Sequence, residues 1–131
     1  MFTEEFSRSD LLKYSALAAG FEYECDSSGS VYYVKKTKSP SSAVFSWVVW
    51  NPIDNGHTCF DLAVLSHTTV AHECYFMDNR RGVIAELPDG TGIGCVYDSD
   101  PEAATRLAVV KAAAHKGKLL EVKQMELFDD H

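Results

Sequence analysis

The sequence predicts an α+β fold in which a single-layer, mostly antiparallel sheet of about five to six strands packs with three helices as a helix–sheet–helix sandwich. Two segments with helix start and stop signals lie towards the two ends of the chain, at 10–19 and 101–116. Between them, short apolar segments alternate with turn residues, and a third helix pattern interrupts them. With 131 residues, the chain is long enough to bury a core without disulfides or metal.

The first helix is predicted from its caps. Ser9 is a good N-cap, Asp10 suits the positive end of the helix dipole, and residues 11–19 form a helical run. Gly20 then provides the left-handed residue that ends a helix.

Alternating segments follow the first helix. Residues 21–25 and 31–35 predict a hairpin around a turn at 26–30, and 36–42 is a polar loop. Segment 43–50 is the most apolar strand candidate in the chain, so we expect it to be central in the sheet. Pro52 ends this strand because proline cannot continue the hydrogen-bond ladder.

The middle of the chain predicts a short helix at 58–67, because its apolar residues fit a helical period and not a strand period. Three further strands follow it, at 68–77, 83–87 and 93–97.

The last helix has the strongest signals. Asp98, Ser99 or Asp100 can cap it, Pro101 suits its first turn, and residues 103–116 are helical in composition. Gly117 is predicted to stop it. Its buried stripe is expected to consist of Ala103, Leu107, Val110 and Ala114. We expect the first and last helices to cover one face of the sheet, with the middle helix elsewhere.

Composition excludes several classes of protein. The net charge of −7 argues against a protein that binds nucleic acid through its phosphates. No segment predicts a membrane span or a signal peptide. The four cysteines contain no CxxC pair and predict free thiols, three of them on strand faces in the core. The pairs His57/Cys59 and His72/Cys74 have strand spacing that would suit zinc only if they met, so no metal is predicted.

The order of these elements resembles the phage ABA-sandwich family, small proteins encoded by tailed bacteriophages and prophages. The matching residues are the end of the first helix at 18–20, Trp50-Asn51-Pro52 with 54–56, 62–65, and the alanine-rich helix at 100–114 with Gly117. The resemblance implies a sheet packed with helices and a protein made in the cytoplasm of the infected bacterial host. The family brings no catalytic residues to this chain.

No nucleophile, base and carboxylate are placed together by a motif, so we expect no enzyme and no cofactor. A phage accessory protein that binds a host component, for host takeover or anti-defence, is the favoured interpretation. The alternative is an oligomeric binder that sequesters a nucleotide signal, with Trp50, Asn51, Arg80 and Arg81 as ligand contacts. A structural interpretation competes, in which Trp50 caps the core, Asn51 holds a turn and the arginines form a hairpin tip.

The end of the chain carries the one segment with a recognisable partner. Gln124, Met125, Leu127 and Phe128 resemble the short linear motif that docks proteins on the bacterial sliding clamp. Leu127 and Phe128 would fill an apolar pocket, and Gln124 would set the register. The same residues could instead pack onto the body. We accordingly predict one domain at 1–120 and a tail at 121–131.

Overall fold

The computed structural model of the protein describes residues 6–37, 44–75, 80–97 and 99–129, and at 37, 72–75 and 126–129 it describes the backbone alone. Residues 38–42 of the predicted loop at 36–42 lie outside these ranges, as do residues 78 and 79 of the predicted turn at 78–82.

The described chain has three helices and six strands, which confirms the α+β class. The helices are α1 (Arg8–Ala18), α2 (Gly56–Leu65) and α3 (Pro101–Asp129). The strands are β1 (Tyr23–Cys25), β2 (Tyr32–Thr37), β3 (Phe45–Val49), β4 (Thr69–Tyr75), β5 (Arg81–Glu86) and β6 (Gly92–Val96). They form two antiparallel sheets of three strands each, in the orders β1-β2-β3 and β4-β5-β6. A single sheet of five to six strands is therefore not confirmed.

The caps of α1 explain where it begins and ends. Ser7, and not the predicted Ser9, is the N-cap, because its side chain accepts from the Asp10 amide while the Asp10 carboxylate accepts from Ser7. At the other end Gly20 has φ +85°, as predicted. The amides of Gly20 and Phe21 donate to carbonyls of the last helical turn, which closes a Schellman motif.

The first and last helices each pack on a different sheet. α1 packs against β1 and β2, α3 packs against all three strands of the second sheet, and the two helices contact each other along their length. The prediction that both helices cover one sheet face is wrong. Each sheet instead buries its inner face against its own helix, and the helix pair joins the two halves of the core.

Gly117 does not stop α3, which continues to Asp129. A Cβ at Gly117 would lie 2.7 Å from the carbonyl carbon of Tyr14 on α1, and still closer to the carbonyl oxygen. The glycine is therefore required by the close approach of two helices and not by a turn. The predicted start is confirmed, since Asp100 accepts a hydrogen bond of 3.0 Å from the amide of Ala103.

The burial of α3 is wider than the predicted stripe. Its most buried side chains are Ala108, Val110, Ala112, Ala113 and Ala114, each fully inaccessible to solvent. Three consecutive buried residues cannot lie on one helix face, so α3 is covered on several sides. Ala103 and Leu107 are only half-buried. Among the helices that the structure describes, none is long and apolar enough to cross a bilayer.

Candidate functional site

An apolar groove of about 610 Å³ lies between α2, the start of β4 and the first turns of α3. Its outer wall carries Phe60 and Val64, which are 67% and 58% exposed and lie one helical turn apart on α2. Its floor includes Cys59 and Val109, both buried. Volumes in this range are typical of binding sites, and two large apolar side chains pointing to solvent on one helix face are the kind of surface that a partner covers.

Hydrogen bonds fix the position of α2 against α3. Asn55 caps α2 by accepting from the Thr58 amide at 3.0 Å. The Nε of Arg106 donates to the carbonyl oxygen of Ile53 at 2.9 Å, which ties α3 to the residues before α2. Arg106 therefore holds a defined position in the lining of the groove, and among the described residues it forms no ion pair within 4.0 Å.

The far end of α2 is fixed by an unusual residue. His67 has φ +56°, the one non-glycine residue with positive φ among the described residues. Its amide donates to the Val64 carbonyl and the Thr68 amide donates to the Ala63 carbonyl, which is the bonding pattern of a Schellman motif. A side chain in this conformation costs about 1 kcal/mol relative to glycine. The motif turns the chain directly into β4 beside the groove.

Cys59 is a structural thiol in this groove. Burial raises its pKa to about 11, and its Sγ contacts the Arg106 carbonyl oxygen at 3.9 Å. Since the thiolate is the nucleophilic form, a thiol with a raised pKa is a poor nucleophile at neutral pH. The groove therefore offers apolar walls, with the Arg106 guanidinium and the exposed Glu102 carboxylate also in its lining.

A second apolar surface lies on the first sheet. β3 is an edge strand, which makes the prediction of a central position wrong. Its outer side chains Phe45, Trp47 and Val49 are all exposed. Lys35 lies on this face, with its ammonium 4.1 Å from the centre of the Phe45 ring and 3.5 Å from a Glu22 carboxylate oxygen. We call these three apolar residues of β3 the edge surface.

Trp50 and Asn51, which were predicted as ligand contacts, both have structural roles. Trp50 is 1% exposed, and its indole N–H donates to Ser15 Oγ at 3.0 Å, so it has no open face on which a base could stack. The Oδ1 of Asn51 accepts from the Asp54 amide at 3.2 Å and thereby holds the turn. The prediction of an aromatic platform is wrong, and the competing structural interpretation describes both residues.

Arg80 and Arg81 are exposed at the start of β5 in the second sheet, whereas Trp50 lies under the first sheet. The structure therefore does not bring the arginines together with Trp50 and Asn51 into one described pocket.

Residues 121–129 of the predicted tail form part of α3. The helix passes residue 120 without a described break, and Glu121 is tied to α1 through Lys13, at 3.3 Å, and through the Tyr14 hydroxyl, at 3.4 Å. Beyond this point Gln124 and Met125 are exposed, the latter 59%. The side chains of Leu127 and Phe128 lie outside the described part of the chain.

The predicted cysteine placements are partly wrong. Cys95 is buried on β6 as predicted, but Cys25 is exposed on β1, and Cys59 is buried on the predicted helix α2. His57 also lies on α2, largely exposed, so the strand spacing assumed for a zinc site does not hold there. Within the described ranges, no three histidine, cysteine or acidic side chains gather as metal ligands do.

The sequence analysis predicts the helix α2 and its buried face but does not predict the groove. Phe60 and Val64 lie on the opposite face, where a surface helix normally carries polar residues. That excess of apolar residues was the available signal. No protein-family model matches this chain, and neither a curated protein nor a solved structure shows significant similarity to it.

Proposed function

We propose that this protein acts by binding another protein and not by catalysis, and that the groove between α2 and α3 is its contact surface. The observation that carries the proposal is the exposure of Phe60 and Val64 beside a groove of about 610 Å³. The proposed occupant is an apolar segment of the partner with a carboxylate that pairs with Arg106.

The open shape and chemistry of the groove support a protein partner. Two exposed side chains on one helix face offer an apolar ridge, and the floor beside it is apolar as well. Burying a phenylalanine side chain contributes about 1.5–3 kcal/mol to binding. Arg106 adds a cation at a fixed place, and arginine pairs with carboxylates through two parallel hydrogen bonds. The resemblance to phage proteins makes a bacterial host protein the proposed partner.

Site-specific photocrosslinking in bacterial cells identifies the partner. A photoreactive phenylalanine analogue replaces Phe60 in one variant and the exposed Glu24 on β1 in a control. The proposal expects one protein to be captured from position 60 and not from position 24. Capture alone is not sufficient, so the purified partner is then titrated by calorimetry.

Affinity measurements with matched variants test the surface. Val64→Ser in the groove and Val49→Ser on β3 remove side chains of nearly equal exposure, 58% and 59%. The proposal expects Val64→Ser to weaken binding by about tenfold while Val49→Ser leaves it unchanged. Equal effects, or an effect of Val49→Ser alone, would reject the groove as the contact surface.

Docking on the sliding clamp through Gln124–Phe128 is a second proposal, supported by the exposure of Gln124 and Met125. An extended docking peptide would have to unwind the last turns of α3, which weakens binding by the cost of unwinding. Calorimetry with purified bacterial clamp compares the wild type with Leu127→Ala/Phe128→Ala, and the melting temperature of both is measured. Lost binding with an unchanged melt supports docking; absence of wild-type binding rejects it.

A further inference from the structure

Within the part of the chain that the structure describes, the free edge of the first sheet at β3 lacks the features that normally protect an edge strand. Over its described length, β3 (Phe45–Val49) contains no charged residue and no proline, and its pairing with β2 has no register shift. Sheets block exposed edges with such features, because an open row of N–H and C=O groups readily pairs with another strand.

The other three edges are less suited to pairing. β1 has only three residues and includes Glu24, and β4 has a register shift between Ala71 and Cys74. β6 contains Gly92 and Gly94, which weaken a strand. The edge of β3 is therefore the one described edge that is uncharged, regular and rich in strand-forming residues.

The hydrogen bonds of the first sheet show which backbone groups reach the open edge. The Trp50 amide donates to the Tyr32 carbonyl at 2.8 Å. In an antiparallel pair, bonded and non-bonded residues alternate along each strand. Ser46 and Val48 therefore bond to β2, given the continuous register of the two strands.

The alternate residues of β3 face the other way. The N–H and C=O groups of Phe45, Trp47 and Val49 point away from β2 and towards the open edge. These residues also form the edge surface, with exposed side chains on the outer face of the sheet. Apolar side chains and available backbone groups thus occur at the same three residues.

We propose that β3 pairs antiparallel with β3 of a second copy of the chain, around a two-fold axis at Trp47. The two first sheets then form one six-stranded sheet in which β3 is central. Trp47 lies opposite Trp47 of the second copy, and Phe45 lies opposite Val49. Aromatic residues opposite aromatic or β-branched residues are favourable cross-strand pairs, and the two-fold axis makes the contact self-complementary.

The composition of β3 supports a second copy as the occupant. The net charge of −7 makes two copies repel each other overall, but β3 carries no charged residue, so pairing there places no like charges directly opposite each other. The three side chains that would meet across the two-fold axis, Phe45, Trp47 and Val49, are all apolar and favourable in strands. The contact is smaller than about 800 Å² per partner, the usual size of a stable interface, so we expect a dissociation constant in roughly the micromolar range.

Sedimentation equilibrium of the full chain tests the proposal with two variants at one position. Trp47→Pro removes the N–H that points to the open edge, and no hydrogen bond to β2 is lost with it. Trp47→Ala removes the same side chain and keeps the N–H. The wild type should dimerise as its concentration rises. Trp47→Pro should raise the dimer dissociation constant at least about tenfold above that of Trp47→Ala.

Amide hydrogen exchange adds a readout that a general loss of folding would not produce. The amides of Phe45, Trp47 and Val49 should become protected only at dimer-forming concentrations, whereas those of Ser46 and Val48 should be protected at all concentrations. A wild type that stays monomeric, or a dimer that Trp47→Pro leaves intact, overturns the proposal. Because the groove lies on the other sheet, neither result depends on the partner-binding function.

Discussion

Replacing Gly117 with alanine tests the packing of α1 on α3. In an exposed helix interior, glycine to alanine stabilises by about 1 kcal/mol. Here the added methyl group would lie 2.7 Å from the carbonyl carbon of Tyr14, well inside van der Waals contact. The atoms that it meets belong to the backbone, so no side-chain rotation can relieve the clash, and the two helices must separate.

Separation of the helices affects the centre of the core. α1 and α3 contact each other more extensively than any other pair of elements, and the fully buried residues Ala16, Ala113 and Ala114 lie on these two helices. Overpacking in a core costs about 1–3 kcal/mol, and occasionally more when backbone has to move. After subtraction of the gain of about 1 kcal/mol in helix propensity, we expect Gly117→Ala to lower the free energy of unfolding by up to about 2 kcal/mol.

The assay is urea unfolding followed by circular dichroism, with Gly56→Ala as the control. Gly56 is the first residue of α2, and a Cβ there would meet no atom within 4 Å. The control should be neutral or slightly stabilising. If Gly117→Ala stabilises the protein as much as an exposed substitution does, the close approach of the two helices is not a feature of this protein in solution.

Three further predictions concern local features. His67→Gly removes the side chain from a residue with positive φ at the end of α2 and should stabilise the protein by up to about 1 kcal/mol in urea unfolding. Destabilisation would show that the backbone at His67 is not strained. The hydrogen bond from the Val31 amide lowers the pKa of Asp26 below its ordinary value of 3.8. The ionised carboxylate therefore stabilises the fold above that pH, and this stabilisation is lost as the pH falls through the pKa of the folded state. Asp26→Asn should lower the urea midpoint at pH 7 and not in strong acid. Alkylation followed by peptide mass spectrometry should modify exposed Cys25 quickly and buried Cys59, whose pKa is about 11, slowly; equal rates would contradict the burial.

Sequence reasoning performed best where a signal and its structural effect lie within a few residues. Gly20 ends α1 and Asp100 begins α3, because a cap satisfies backbone groups no more than one turn away. The hairpin at Asp26 follows the same rule, since its side chain accepts from the amides of Ser30 and Val31 in the same turn. The predicted start of α1 was wrong by two residues. Ser7 and Ser9 are both suitable N-cap residues, and Ser7 is the one that caps the helix.

The candidate sites were less accessible from the sequence. Phe60 and Val64 belong to a predicted helix, but the groove beside them exists only because α3 and β4 lie next to α2. Trp50 is an aromatic residue of the kind that forms a ligand platform. In the fold it is buried, and its indole N–H donates to Ser15 of α1. Burial of a side chain depends on distant parts of the chain, so residue type alone could not distinguish the two roles.

The class of the fold, the number of helices and most strands could be predicted from local patterns, because helical period, alternation and caps are properties of neighbouring residues. The division of the strands into two sheets, the edge position of β3 and the place of Gly117 inside a helix depend on tertiary contacts. A strand becomes an edge when no other strand reaches it, and a glycine is required when a distant backbone such as that of Tyr14 comes within contact distance. Both conditions are set by segments far away in the sequence, which is why no pattern around these residues could have revealed them.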